Sequence, residues 1–120
     1  MTKEREKELL EKIRRNEIKY EDFQEAEDFL FIFDNGYNFS EELVGDIISD
    51  FAEVEGEIVS EEIIDERRWF IDKEVVIKFK DRYFSFIKSE GENENEYSDE
   101  IIEVIPKEVV IKKIIYEEIK

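Results

Sequence analysis

The sequence predicts an α+β fold, in which about three N-terminal helices pack on one face of a C-terminal antiparallel sheet of about four to five strands. Apolar residues recur at helical spacing up to residue 53, and short runs rich in β-branched and aromatic residues follow from residue 67. A length of 120 residues fits one domain. We therefore expect a single domain, 1–120, with a helical acidic part at 1–55 and a sheet part at 67–116.

The first helix is predicted over residues 3–15. Thr2 is a suitable N-cap, and Leu9 and Ile13 belong to a narrow apolar stripe. Arg14 and Arg15 stand at the end of the helix that the macrodipole favours for cations. We interpret this basic pair as a solvated helix end, with a functional basic patch as the alternative.

The second helix is predicted over residues 20–33. Its apolar face has spacings of three and four, at Tyr20, Phe23, Ala26, Leu30 and Phe33. The outer side then holds the carboxylates Glu21, Asp22, Glu25 and Asp28. The run FLFIF could instead be a buried strand, because its length does not decide between the two. Gly36 is expected to end the helix with a positive φ.

The third helix is predicted over residues 41–53, with Ser40 as its N-cap. Its apolar face consists of Leu43, Val44, Ile47, Ile48 and Phe51. Asp46, Asp50 and Glu53 line the opposite side. Gly45 costs this helix up to ~1 kcal/mol relative to alanine, so the prediction depends on the periodicity.

The sheet is predicted from five runs, at Arg67–Ile71, Glu74–Phe79, Arg82–Lys88, Glu100–Ile105 and Lys107–Tyr116. Lys80-Asp81 is expected to form a tight hairpin turn, and Pro106 separates the last two runs. Residues 89–99 are predicted to be a long exposed loop, and residues 57–66 are assigned no element. Four lysines are expected on the open face or edge of the sheet: Lys78, Lys80, Lys112 and Lys113.

The negative charge is concentrated in one region of the chain. Residues 20–66 contain seventeen carboxylates and no lysine or arginine, and the formal charge of the whole protein is −17. Such a concentration opposes folding but attracts a cationic surface, and surfaces that hold nucleic acid are cationic. The candidate partner-binding residues are Glu21, Asp22, Glu25, Asp28, Glu41, Glu42, Asp46, Asp50, Glu53, Glu55 and Glu57. The alternative is an ordinary solvated acidic surface.

A second acidic stretch runs from residue 89 to residue 100 and has no basic residue after Lys88. It is either a plain mobile loop, which we favour, or a second arm of the acidic surface. Trp69 is the only tryptophan. We expect it in the core, with a hot spot for a partner protein as the alternative.

The composition argues against several kinds of catalysis. The chain has no cysteine and no histidine, which excludes disulfides, thiolate metal sites and histidine-based catalysis. Residues 34–45 do not fit an EF-hand, because Gly36 cannot supply a side-chain ligand and Gly45 stands where glutamate is needed. A metal-dependent nuclease using Asp72, Glu74 and Lys78 is a minor alternative. We expect a protein that is not an enzyme and has no cofactor or metal.

The chain has neither an apolar signal-peptide region at residues 1–15 nor an apolar run of the ~18 residues that span a bilayer. These absences predict a cytoplasmic protein. Its charge disfavours direct binding to nucleic acid or to an anionic membrane.

Between Arg68 and Tyr116 the chain contains WFIDKEVVIKFKDRYFSFIKS, ENEY and EVIPKEVVIKKIIY. This part resembles a family of small phage proteins of low-GC Gram-positive bacteria, and none of its motifs is catalytic. Small acidic phage proteins include anti-CRISPR and anti-restriction inhibitors, several of which are DNA mimics. The resemblance therefore implies, by analogy, an inhibitor of a host defence enzyme.

Charge and resemblance together predict a phage or mobile-element inhibitor acting in the host cytoplasm. Its expected partner is a basic nucleic-acid-binding host protein, either a CRISPR effector nuclease or a restriction enzyme, with the RNA-guided nuclease as the leading case. The alternative is a phage structural or assembly accessory that binds a protein through its sheet or Trp69. A divalent-metal enzyme is a third, weaker alternative.

Overall fold

The computed structural model describes residues 1–119 and has an α+β fold, as predicted. In chain order, the elements are α1 (Lys3–Arg15), a 3₁₀ turn (Tyr20–Asp22), α2 (Ala26–Asp34), α3 (Glu41–Asp46), a π turn (Ile47–Phe51), α4 (Ala52–Glu55), β1 (Glu57–Glu66), β2 (Phe70–Phe79), β3 (Arg82–Gly91), β4 (Asn95–Tyr97) and β5 (Ile102–Val104). The strands form one antiparallel sheet in the order β1-β2-β3-β4, and β5 pairs with another part of β3.

Helix α1 has the predicted bounds because its two ends are capped locally. The Arg5 N–H donates to Thr2 Oγ1 at 3.1 Å, which satisfies one of the free donors of the first turn. At the other end Asn16 adopts a left-handed conformation, with φ 58°. Leu9 is fully buried, and this anchors the helix to the core.

The second helix starts later than predicted. Residues 20–22 form a 3₁₀ turn, and α2 begins only at Ala26. The cause is that aspartate side chains form hydrogen bonds with nearby backbone groups and so compete with the continuous helix. Asp22 accepts the N–H of Lys19, while Asp28 accepts those of Gln24 and Glu25, and these bonds stabilise two short turns in place of one longer helix. The FLFIF run is helical, as predicted.

The third helix begins at Glu41 after the predicted Ser40 cap and ends at Glu55, two residues beyond the prediction. Its middle contains the π turn Ile47–Phe51. Gly45 lies against the ring of Tyr97 from β4, and a Cβ at Gly45 would come within 2.8 Å of a ring carbon. The absence of a side chain at Gly45 therefore allows the helix to approach the sheet closely.

The long antiparallel pair β2–β3 confirms the predicted hairpin. Phe79 pairs with Arg82 across the two-residue turn Lys80-Asp81, and the register continues without a shift to Phe70 opposite Gly91. Two predicted runs, 67–71 and 74–79, are therefore wrong as separate strands, because one continuous strand covers residues 70–79.

Strand β1 was not predicted from the sequence, and its irregular pairing explains why. Its apolar residues come in adjacent pairs, Ile58-Val59 and Ile63-Ile64, and do not alternate. The register with β2 shifts at those two places, between Ile58 and Ser60 and between Ile63 and Asp65. A β-bulge adds one residue and so interrupts the period of two on which strand prediction depends.

Two further predictions are corrected in the last third of the chain. The exposed loop 89–99 is shorter, because β3 extends to Gly91 and residues 95–97 form β4. The predicted strand 107–116 does not form, and residues 105–119 carry no regular structure. Lys112 and Lys113 therefore lie outside the sheet, whereas Lys78 lies on its open face beside Tyr83.

The core is aromatic and lies between the helices and one half of the sheet. Phe29 of α2 contacts Phe79 and Phe84 with ring-centroid distances of 4.5 and 5.0 Å. All three side chains are fully buried, and each contributes roughly 1.5–3 kcal/mol by leaving water. In β2 the buried positions start at Val75, so the helices leave the half of the sheet near the β1–β2 turn uncovered.

Candidate acidic binding surface

The structure divides the seventeen carboxylates of residues 20–66 into two groups. Eleven lie between Glu41 and Glu66, and none of these makes an ion pair within residues 1–119. All are exposed apart from Asp46, which is half-buried. We call this group the acidic surface; it consists of Glu41, Glu42, Asp46, Asp50, Glu53, Glu55, Glu57, Glu61, Glu62, Asp65 and Glu66.

Two of the predicted partner-binding residues are buried and hold the helical part together. Asp22 and Asp28 are each 5% exposed, although the helical periodicity had placed them on the outer side. Asp22 pairs with Lys12 of α1, and Asp28 pairs with Arg5 at 3.5 Å. Both side chains also accept backbone N–H groups near the start of their turns, and the pairing with α1 is what directs them inward. They are therefore part of the internal structure and do not contribute to the exposed acidic surface.

Two further carboxylates from residues 20–40, Glu27 and Asp34, join the helices to the sheet. Glu27 accepts a hydrogen bond from Lys80 at 2.6 Å, and this contact lowers the pKa of Glu27. The Asp34 carboxylate accepts hydrogen bonds from both terminal nitrogens of Arg82, at 2.7 and 2.9 Å. Arg82 also contacts Glu103 of β5 at 2.8 Å. Glu21 and Glu25 lie on the outside, as the helical periodicity predicted, and make no ion pair within the described residues.

Several carboxylates lie close enough to Asp46 of the third helix to repel its charge. Partial burial raises the pKa of the Asp46 carboxyl, and repulsion from Glu42, Asp50 and Glu21 raises it further. Glu42, Asp46 and Asp50 follow one another at intervals of four residues, and Glu21 comes from the preceding 3₁₀ turn. The tertiary structure thus brings a fourth carboxylate to a row that the sequence already contained.

The acidic surface continues from the third helix into β1 without a basic residue. Residues 41–55 extend about 22 Å as a helix, and the ten residues of β1 extend about 33 Å as a strand. Glu53, Glu55 and Glu57 lie at the junction of the two elements. The sequence prediction stopped at Glu57, because β1 had not been recognised. The signal that could have located its four remaining carboxylates was the absence of lysine and arginine up to residue 66.

The second acidic stretch, 89–100, is partly neutralised. Glu90 lies within β3 and pairs with Lys73 at 2.9 Å and Lys88 at 3.1 Å, and these contacts lower the pKa of Glu90. Gly91 and Glu94 close a backbone hydrogen bond at 2.8 Å between β3 and β4. The stretch is therefore built into the sheet over much of its length.

The residues considered for metal-dependent chemistry have other partners. Asp72 accepts hydrogen bonds from Ser89 and Arg67, which lower the pKa of Asp72. Glu74 accepts from Ser85, and Lys78 lies over the ring of Tyr83. Among residues 1–119, no three acidic side chains converge in a geometry suited to a metal ion.

Trp69 is in the turn between β1 and β2 and is 68% exposed, so its predicted place in the core is wrong. The helices do not reach this end of the sheet, which leaves no core for the side chain to enter. The guanidinium of Arg68 lies over the indole at 4.9 Å. A groove beside the ring is lined by Arg67, Phe70 and Gly91, among other residues.

No helix in the described chain is both long and apolar enough to cross a lipid bilayer. Comparison with protein-family models, with curated proteins and with solved structures gives no match to this chain. The resemblance to phage proteins therefore stays an expectation.

Proposed function

We propose that this protein inhibits a basic nucleic-acid-binding enzyme of a host cell by occupying the channel that holds nucleic acid. The supporting observation is the acidic surface, whose eleven carboxylates form no ion pair with any residue from 1 to 119 and are spread over a helix and the strand that follows it. The target class that we propose to test first is an RNA-guided nuclease, because it holds its heteroduplex in a positively charged channel and reads a short duplex motif with arginines. On this proposal the protein acts as an anti-CRISPR in the host cytoplasm.

The spacing of the charges suits such a channel. Side chains four residues apart on a helix are about 5–6 Å apart, so Glu42, Asp46 and Asp50 form a row of negative charge comparable to a phosphate backbone. Carboxylates bind arginine side chains through two parallel hydrogen bonds, as phosphates do. Repulsion among these groups is unfavourable in the free protein, and a cationic partner relieves it. That relief adds to the free energy of association.

A charge-reversal experiment tests the proposal. The variant Asp46→Lys with Asp50→Lys reverses the centre of the row, and Glu4→Lys with Glu17→Lys makes the same change in net charge at two exposed positions on and just after α1. The assay measures how much target duplex a guide-loaded nuclease binds as each protein is added. Since each lost contact between charged groups is worth about 1.5–3 kcal/mol, the first variant should inhibit at least ~100-fold more weakly. The α1 variant should inhibit like the wild type.

Salt dependence provides the second readout. Inhibition by charge should weaken steeply between low and moderate ionic strength, because the contacts are exposed and screened. Undiminished inhibition by the Asp46→Lys, Asp50→Lys variant, or inhibition insensitive to salt, would contradict the proposal. A tagged protein used to capture partners from a phage-host lysate identifies the target class, provided that the captured protein is released by salt or by competing duplex DNA.

The exposure of Trp69 favours a second candidate function, an accessory that binds a protein partner through the β1–β2 turn. Exposed tryptophan paired with arginine is typical of hot spots in interfaces. Partner capture that survives high salt and is lost in Trp69→Ala, but not in Asp46→Lys with Asp50→Lys, would support this alternative over the first.

A further inference from the structure

The segment 105–119 contains the predicted strand 107–116 but pairs with none of the described strands of its own chain. Eight of its large apolar side chains are 68–96% exposed, namely Ile105, Val109, Val110, Ile111, Ile114, Ile115, Tyr116 and Ile119. The radius of gyration is 18.4 Å, against about 14 Å for a compact chain of this length. So much exposed apolar surface on an extended segment is characteristic of a segment that binds a partner. We call residues 105–119 the tail.

Strand β1 offers the matching free edge. It pairs with β2 alone among the described strands, so its other edge presents unpaired N–H and C=O groups. The strand is ten residues long and exposed along almost its whole length. The bulges leave a regular stretch between them, Ser60–Ile63, where an added strand can form a regular ladder.

The two segments have the same pattern with opposite charges. In β1 the acidic pair Glu61-Glu62 stands between Ile58-Val59 and Ile63-Ile64, with Ser60 on one side. The tail has the basic pair Lys112-Lys113 in the corresponding place. Opposite charges directly across a strand pair stabilise it, and like charges destabilise it.

The basic pair of the tail is also flanked by apolar residues, Val110-Ile111 before it and Ile114-Ile115 after it. An antiparallel register with Lys112 opposite Glu62 and Lys113 opposite Glu61 also sets Ile111 opposite Ile63. The match therefore includes both the charged pairs and an apolar position beside them.

We propose that the tail of one copy adds as a strand to β1 of a second copy, in a reciprocal two-fold dimer. The tail leaves the sheet across its open face, where Ile105, Pro106 and Lys107 lie in the same groove as Val59 and Ser60. The large apolar side chains of the residues that follow are exposed, and in the proposed dimer these residues lie along the β1 edge of the other copy. In a two-fold dimer the free β1 edges of both copies are paired, whereas a head-to-tail arrangement that does not close would propagate as a fibre.

The first experiment measures mass in solution by light scattering. The wild type should give twice the monomer mass of 14.6 kDa. Lys112→Glu with Lys113→Glu should give a monomer, as should Glu61→Lys with Glu62→Lys, and the four changes combined should restore the dimer. Glu53→Lys with Glu55→Lys makes the same change in charge away from the β1 edge and should stay dimeric. A monomeric wild type, a dimer that survives both charge swaps, or an open polymer would overturn the proposal.

The second experiment uses the absence of cysteine in the chain, so that introduced thiols are the only ones present. Two single variants, Glu62→Cys and Lys112→Cys, are purified separately, mixed and oxidised. The proposal expects a disulfide-linked pair that contains one of each, because only contact between copies can produce it. Glu53→Cys mixed with Lys112→Cys is the control and should give no such product. Equal cross-linking of the two mixtures, or none in the first, would show that the tail does not bind β1 of another copy.

Discussion

Two aspartates on the acidic half of the chain should respond in opposite directions to the same substitution. Asp28→Asn and Asp46→Asn each remove one negative charge and keep the shape of the side chain. Asp28 is buried and accepts backbone N–H groups at 3.0 Å from Gln24 and Glu25, as well as the Arg5 guanidinium at 3.5 Å. Among residues 1–119, the charges that act on Asp46 are those of the carboxylates Glu42, Asp50 and Glu21.

The magnitudes follow from these contacts. An asparagine at position 28 has one carbonyl oxygen for two sets of donors, so its amide must face either the backbone N–H groups or Arg5. A hydrogen bond to a charged group contributes about 1.5–3 kcal/mol, and we expect Asp28→Asn to lower the free energy of unfolding by about 2–3 kcal/mol. Like charges four residues apart cost about 0.2–0.5 kcal/mol per pair, so Asp46→Asn should raise the free energy of unfolding by roughly 0.5–1 kcal/mol.

The assay is urea unfolding at neutral pH followed by circular dichroism, since the exposed Trp69 is a poor reporter of core packing. With a urea m-value of about 1–3 kcal/mol/M, Asp28→Asn should lower the midpoint by roughly 0.7–3 M, and Asp46→Asn should raise it slightly. Because the pKa of Asp46 is raised in the folded state, that state binds the proton more readily than the unfolded chain does. Acidification below this pKa therefore removes the unfavourable charge in the wild type, and the advantage of Asp46→Asn should disappear there. Destabilisation by Asp46→Asn, or a neutral Asp28→Asn, would refute the division of carboxylates into internal and exposed groups.

Two further predictions concern how the helices join the sheet. Gly45→Ala should destabilise the protein, although alanine is the better helix former by up to ~1 kcal/mol, because the new Cβ overlaps the Tyr97 ring. In a double-mutant cycle measured by urea unfolding, Tyr97→Ala should remove that penalty, and equal costs of Gly45→Ala in both backgrounds would contradict the contact. Arg82→Met should destabilise the protein at neutral pH, because Arg82 lowers the pKa of both Asp34 and Glu103. Its difference from the wild type should shrink as the pH falls below the ordinary carboxyl pKa of about 4, where the two lowered groups bind protons and that stabilisation is lost. A difference that is constant with pH in urea midpoints would exclude this network.

Local rules determined much of the helical part from the sequence. The bounds of α1 follow from Thr2 and the apolar stripe, and the start of the third helix follows from Ser40, because caps and periodicity act within a few residues. The hairpin at Lys80-Asp81 was predictable for the same reason. The α+β order of the chain needed only the change of period after the third helix. The concentration of negative charge in residues 20–66 is likewise a property of the sequence.

Tertiary contacts decided the remaining features. The inward orientation of Asp22 and Asp28 depends on α1 supplying Lys12 and Arg5, and no periodicity within residues 20–33 contains that information. Strand β1 depends on pairing with β2 through two bulges, and bulges alter the very alternation by which a strand is recognised. Trp69 is exposed because the helices cover only half of the sheet.

The tail shows most directly that local sequence alone does not determine whether a strand forms. Residues 107–116 have the composition of a strand, but a strand forms only where another strand supplies the partners for its hydrogen bonds, and the sequence does not say where that edge lies. Contacts with distant parts of the chain likewise decide which carboxylates of residues 20–66 are paired internally and which are exposed. The sequence determined how many carboxylates this region holds, and the fold decided which of them are neutralised inside the protein and which remain exposed to a partner.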